Sequence, residues 1–246
     1  MNIQKLPWAG IRIETDDIAI VIDPITRILE EFGGAREPMY PISYFGKADA
    51  VLITHLHEDH FDPAGIIEAY GAAIPVYVPA GLEGAARALG LTNVNGVAVR
   101  SSFELSSDVK ATALPSVDGL GDIQVAWLVE GSGRKVIHCG DTLWHGYWWS
   151  FAQNYGPFDA AFLPVNGAVL ELPGMMPSGQ PICLTPEQAI AAATVLGAKT
   201  LVPIHYGTMQ YPPIYNETPN IEARLAAASK VQVNVTLLKT TEKLAL

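Results

Sequence analysis

Three histidines and two acids stand within seven residues, Thr54-His55-Leu56-His57-Glu58-Asp59-His60, in a chain that holds only six histidines. Imidazole and carboxylate are the donors a divalent transition metal takes when no thiolate is offered, so the cluster points to bound Zn²⁺, with Mn²⁺ and Fe²⁺ as alternatives. An ion held there lowers the pKa of water towards neutrality and polarises a carbonyl or phosphoryl oxygen, which makes hydrolysis the expected chemistry. Cys139 and Cys183 lie far apart and form no CxxC pair, so neither a disulfide framework nor a cysteine-built metal site is expected.

The elements around the cluster explain its placement. Asp49-Ala50-Val51-Leu52-Ile53-Thr54 reads as a buried strand and Asp62-Pro63 as a helix start, so the histidines occupy a strand-to-helix turn. Side chains at the carboxyl end of a strand project into the crevice where α/β proteins bind small molecules. His55 and His57, two apart in an extended segment, point to one side, while Asp59 and His60 on the following turn face a second centre. The spacing suits two adjacent ions.

Beyond this turn, the runs IRIE, IAIVID, AVLIT, IPVYVP, KVIHCGD and VQVNVTLL alternate with alanine-rich segments, the pattern of an α/β protein. Thr185-Pro186-Glu187-Gln188 predicts a capped helix closed by Gly197. Asp62-Pro63 predicts one ending near Gly71, and Thr218-Pro219 one running through Ala226-Ala227-Ala228. Gly167 to Leu184, punctuated by prolines and glycines, reads as a long loop bordering the site. No linker or repeat interrupts this order, so residues 1–246 are read as one domain.

Composition narrows the partners. With 49% hydrophobic and 16% charged residues the chain can bury a large core. A formal net charge of −10 with no Lys/Arg cluster repels DNA and RNA. No apolar run approaches the roughly 18 to 20 residues of a membrane helix, and MNIQKLPWAGIRIE lacks a signal-peptide pattern. The expectation is a soluble cytoplasmic protein whose partner is a small-molecule substrate rather than nucleic acid or membrane; homo-oligomerisation is left open.

His55-x-His57-x-Asp59-His60 resembles the signature of the metallo-β-lactamase superfamily, which implies a four-layer αββα sandwich with one or two metals at its edge. Asp23-Pro24 after an IVI strand, Thr54, and His60-Phe61-Asp62 resemble its ascorbate-6-phosphate lactonase branch. Gly140-Asp141-Thr142 after VIHC is similar to the motif whose aspartate bridges the metals, and Val202-Pro203-Ile204-His205-Tyr206-Gly207 to the one whose histidine completes the second site. The remaining motif, Pro-x-x-His, is altered: in Ala113-Leu114-Pro115-Ser116-Val117-Asp118, alignment on Pro115 sets Asp118 at the histidine's position, with Asp122 the weaker substitute. A carboxylate there adds negative charge and a harder donor. The resemblance, from about Trp8 to Gly207, implies that His55, His57 and Asp118 hold one ion and Asp59, His60 and His205 the other, with Asp141 bridging. Asp59 orients the attacking water. One half of the sandwich is expected to run to about Ser116, the rest forming the other.

Leu143-Trp144-His145-Gly146-Tyr147-Trp148-Trp149 carries three of the five tryptophans. Their simplest role is packing; the sharper one is a pocket wall, with His145 as proton donor or as replacement ligand. His138, inside a strand, is read as packing. The reading is a metal-dependent hydrolase of a small lactone, ester or phosphoester. Two other classes compete: a catalytically weak metal-binding scaffold, and a diiron redox protein, whose relatives tend to carry a carboxylate in place of His57 and a further domain. Specificity is expected in the loops Thr26–Lys47, Leu143–Phe151 and Gly167–Leu184.

Overall fold

In the run Ala19-Ile20-Val21-Ile22 every side chain but the first is buried, yet neighbours go to different cores: Ile20 and Ile22 join one apolar cluster and Val21 another. Val51 and Leu52 divide in the same way, as do Leu201 and Val202, because successive strand residues face opposite sides of a sheet. Strands covered on both faces need layers on both sides, and the computed structural model, which describes residues 1–229 and 233–246, supplies them.

The strands run β1 (Asn2–Lys5), β2 (Ile11–Glu14), β3 (Ala19–Ile22), β4 (Ala50–Leu52), β5 (Val76–Pro79) and β6 (Val94–Val97). They continue as β7 (Ser102–Glu104), β8 (Lys110–Pro115), β9 (Val125–Gly131), β10 (Arg134–His138) and β11 (Ala160–Pro164). Last come β12 (Val169–Leu170), β13 (Thr200–Ile204), β14 (Tyr215–Asn216), β15 (Asn234–Val235) and β16 (Lys243–Ala245). One sheet has the order β16-β1-β2-β3-β4-β5-β6 and the other β15-β13-β11-β10-β9-β8-β7. Each begins as an antiparallel meander and continues as parallel strands joined through helices. Helices α1 (Pro63–Tyr70) and α2 (Glu83–Ala88) cover the first sheet, and α3 (Tyr147–Tyr155), α4 (Pro186–Leu196) and α5 (Ile221–Ala228) the second. Between the sheets Ile11, Ile13 and Leu52 meet Trp127, Phe162 and Val202. The result is the αββα sandwich.

Most expected elements are present. Thr185 and Gln188 form the reciprocal capping box of α4, and Gly197 closes it at φ 63°. Asp62 caps α1 by accepting from the Gly65 N–H. The third helix starts later than expected: Thr218 is tied to the loop before α4, its N–H donating to the Asn166 carbonyl, so α5 begins only at Ile221. Of VQVNVTLL, Val231 and Gln232 lie outside the described residues, and β15 covers only Asn234–Val235. The boundary near Ser116 is also revised. β7 and β8 belong to the second sheet because β8 pairs along its whole length with β9, so the first half ends at β6. The chain's last strand, β16, returns to the first sheet, pairing Ala245 with Asn2, and the Leu246 N–H donates to the Met1 carbonyl at 3.1 Å. Among the described residues no helix is long and apolar enough to cross a membrane.

Candidate metal centre

Four strand ends converge on one edge of the sandwich. His55 follows β4, Asp118 follows β8, Asp141 follows β10 and His205 follows β13. The rings of His55 and His60 lie 4.3 Å apart and those of His60 and His205 4.9 Å, so the contributions of both sheets meet. His205 sits at φ 59°, a left-handed conformation that costs a non-glycine residue energy and is held where the surroundings demand it. Here its ring packs on Trp8, with centroids 4.1 Å apart.

The potential donor atoms form two groups. In the first, His55, His57, Asp118 and Asp141 each offer an atom within 4.8 Å of the others. His55 Nε2 stands 2.9 Å from His57 Nδ1 and 3.7 Å from Asp141 Oδ1, and His57 Nδ1 is 3.8 Å from Asp118 Oδ2. In the second, Asp59 Oδ2 lies 3.4 Å from His205 Nε2 and 3.8 Å from His60 Nε2. Several of these atoms are buried without any hydrogen-bond partner: His60 Nε2, His205 Nε2, Asp118 Oδ2 and Asp141 Oδ1. A buried orphan of this kind costs about 1–3 kcal/mol, and more if charged, so four in one place demand an occupant. A divalent cation in each group satisfies all four, and the nitrogen and oxygen donors suit one.

The far side of each ligand candidate is fixed, which decides the atom it presents. Asp23, fully buried, accepts from the Thr54 N–H at 2.8 Å and the Thr54 hydroxyl at 2.6 Å, and pairs with His60 Nδ1 at 2.8 Å. With its only proton spent on Asp23, Thr54 Oγ1 accepts from His55 Nδ1 at 3.0 Å. Both histidines therefore turn Nε2 inward. His57 is held the other way round: Nε2 pairs with Asp122 at 2.8 Å and Nδ1 faces the group. Asp118 Oδ1 accepts from the N–H groups of Leu120 and Asp122, leaving Oδ2 inward. Trp8 Nε1 donates to Asp59 at 3.0 Å. Such outer partners orient metal ligands and keep the correct tautomer.

The electrostatics agree. Burial pushes the Asp141 carboxyl up to about 7, with Asp118 and Asp59 adding to the effect. Burial alone lowers the His60 pKa, but the carboxylates of Asp59 and Asp23 overcome it and raise it to about 9. Acids crowded without solvent hold protons that a cation displaces.

Not every candidate from the sequence arrives. His145 lies outside both groups: it stacks on Trp148 with centroids 4.0 Å apart, its Nδ1 accepts from the Tyr147 N–H, and burial lowers its pKa to about 4. Four residues after Asp141 the chain is two residues short of α3, and the ring stacks on that helix's Trp148, in the helix layer. The tryptophans of this loop are not pocket walls either: Trp148 is buried in that layer and Trp144 and Trp149 are exposed. Asp122 acts behind His57 rather than as a substitute ligand. His138 is a packing residue, pairing with the Ala9 carbonyl at 2.8 Å. Asp23 stood in a quoted motif and Trp8 at the start of the resemblance, but neither was given a role, since each works through a partner 31 or more positions away in the chain.

A cavity of about 340 Å³ opens above the two groups, floored by His57, Asp59, Asp141 and His205.

With fold and centre in view, residues 19–206 match the family described as a beta-lactamase superfamily domain, and the chain belongs to that superfamily. It is 30% identical over 241 residues to the UPF0173 metal-dependent hydrolase of Rubrobacter xylanophilus, covering 92% of this chain and 88% of that protein. Among solved structures it is similar to Igni18, a metallo hydrolase from Ignicoccus hospitalis, with TM-score 0.74 and 22% identity over 99% of this chain and 97% of that one. It also shares its fold with CmlA, a diiron β-hydroxylase from Streptomyces venezuelae, at TM-score 0.77 and 17% identity, covering 100% of this chain but 54% of that one.

Proposed function

We propose that this metal-dependent hydrolase cleaves a small lactone, ester or phosphoester, and that its two donor groups are its metal sites. The observation that carries the reading is the set of four buried, partnerless donor atoms converging on one sandwich edge. His55, His57 and Asp118 hold one ion, Asp59, His60 and His205 the other, and Asp141, coupled electrostatically to Asp118 and Asp59, serves both. Zinc, bound there, supplies a water of lowered pKa and an electrophile for the substrate oxygen. Asp59, fixed by Trp8, aligns the attacking water, while Asp23 and Thr54 engage the outward Nδ1 of His60 and His55 and so direct Nε2 of each towards the ion. The leaving group takes its proton from solvent, since His145 belongs to neither donor group and stacks on Trp148. The net charge of −10 and the enclosed floor of the cavity support a small molecule, not a nucleic acid, as the partner in the cytoplasm.

One observation favours a second choice of ion. The first group contains two carboxylates, Asp118 and Asp141, and harder donors suit manganese or iron as well as zinc. Elemental analysis of the protein as purified, followed by a hydrolysis screen with zinc, manganese and iron, tests the reading. His60→Ala and Asp141→Ala are expected to lose metal and activity together. Wild-type metal content in both variants overturns the assignment.

A further inference from the structure

The walls of the cavity differ sharply from its floor. Ile28 and Phe32 come from the loop after β3, Leu170 and Ile182 from the loop around β12, and Met209 from the segment after β13. All are apolar. Ile28, Leu170 and Met209 are buried within the main core, so the wall is anchored and not merely draped over the opening. Above the floor the charged residues on the cavity are Glu31 and Glu58, and among the described residues no Lys or Arg lines it.

A phosphate, sulfate or carboxylate group on a substrate needs a fixed cation or a fork of N–H donors to replace its lost water. Along these walls, away from the donor groups that would hold the ions, it would meet hydrocarbon and two acids, on a protein of net charge −10. Burying such a group unpaired is strongly unfavourable, whereas a hydrocarbon group gains from every methylene it hides. Resting on the hydrolase reading above, we propose that the cavity selects uncharged substrates with an apolar acyl chain or ring, an ester or alkyl-substituted lactone, and rejects phosphorylated and other anionic ones. The scissile carbonyl sits over His57, Asp59 and Asp141, and the hydrocarbon part lies along Ile28, Leu170 and Ile182.

Two measurements test this independently. The first needs no turnover: binding of neutral N-phenyl-1-naphthylamine and of its sulfonated counterpart, 1-anilinonaphthalene-8-sulfonate, to the metal-free protein by fluorescence. The neutral probe should bind at least about tenfold more tightly, and Leu172→Arg, which sets a cation on the half-buried wall, should reverse the preference. If that variant fails to fold, Leu172→Ala should weaken the neutral probe alone. The second is kcat/KM of the zinc- or manganese-loaded protein on p-nitrophenyl acetate, propionate and butyrate and on p-nitrophenyl phosphate. A rise of about fourfold per methylene is expected, with the phosphate slowest. Equal or tighter binding of the sulfonate, or preferred cleavage of the phosphate, overturns the proposal while leaving the hydrolase reading intact. Neutral-probe preference with no hydrolysis of any substrate sustains the cavity's selectivity and sinks the hydrolase reading instead.

Discussion

Thr54 has one hydroxyl proton, and its donation to Asp23 decides which nitrogen of His55 faces the metal centre. Removing the anchor should therefore be felt without touching a ligand: Asp23→Ala is expected to lower zinc affinity about 10- to 100-fold, measured by chelator competition. An unchanged affinity would show that packing alone orients His55 and His60. Asp118 invites a finer cut. Asp118→Asn keeps the acceptor for the Leu120 and Asp122 N–H groups but removes the inward charge, so metal stoichiometry should fall towards one ion while the loop stays ordered. Two ions still bound, at wild-type affinity, would remove Asp118 from the ligand set. At this scale the sequence was legible where the chemistry is local. His55 to His60 are set by one turn, and their types and spacing announce the centre. Asp23 and Trp8 fell within the resemblance, but they reach the centre across 31 and 51 positions, distances over which no residue pattern assigns a role. Asp122 was visible but its role was not, because only the fold shows that it stands behind His57. His145 is the opposite case, near Asp141 in sequence but stacked on Trp148 and in neither donor group.

The N-termini of α1 and α4 are written in side chains, those of Asp62 and Thr185. Thr185→Ala removes one arm of the α4 capping box and is expected to destabilise the protein by about 1 kcal/mol in equilibrium denaturation, with no loss of metal. A change below a few tenths would mean that Pro186 and the packing of α4 suffice. That helix was legible because both its cap and its closing glycine are local. α5 was less so: Thr218-Pro219 has the composition of a helix start, but the Thr218 N–H is taken by Asn166 from another loop. Strands were read as strands from their β-branched runs, whereas the sheet each joins was not. Nothing within Lys110–Pro115 says that it pairs with Val125–Gly131 and so joins the second sheet and not the first. The short strand β12, inside an expected loop, and its partner β14 are of the same kind, two residues each and paired with one another.

Across the whole molecule, the centre joins the two sheets, since His55 to His60 come from the first and Asp118, Asp141 and His205 from the second. Bound metal should thus stabilise the entire sandwich and not one loop. With free zinc at about 100 times its Kd, the gain is about 2.7 kcal/mol per site, so stripping metal with a chelator should lower the unfolding midpoint in one cooperative transition. Separate melting of the halves would contradict this. The layering was legible in outline, because doubly buried strands alternating with helices require cover on both faces. The return of β16 to the first sheet was not, since pairing with β1 spans nearly the full chain. That return has its own consequence. The backbone at Leu246 touches that at Met1, so residues 1–246 trace topologically almost a closed ring. Linking the two ends and reopening the ring at the exposed Ser132-Gly133 turn would reorder the gene while every donor atom kept its neighbours: for this sandwich, chain order is a convention and spatial adjacency is the design.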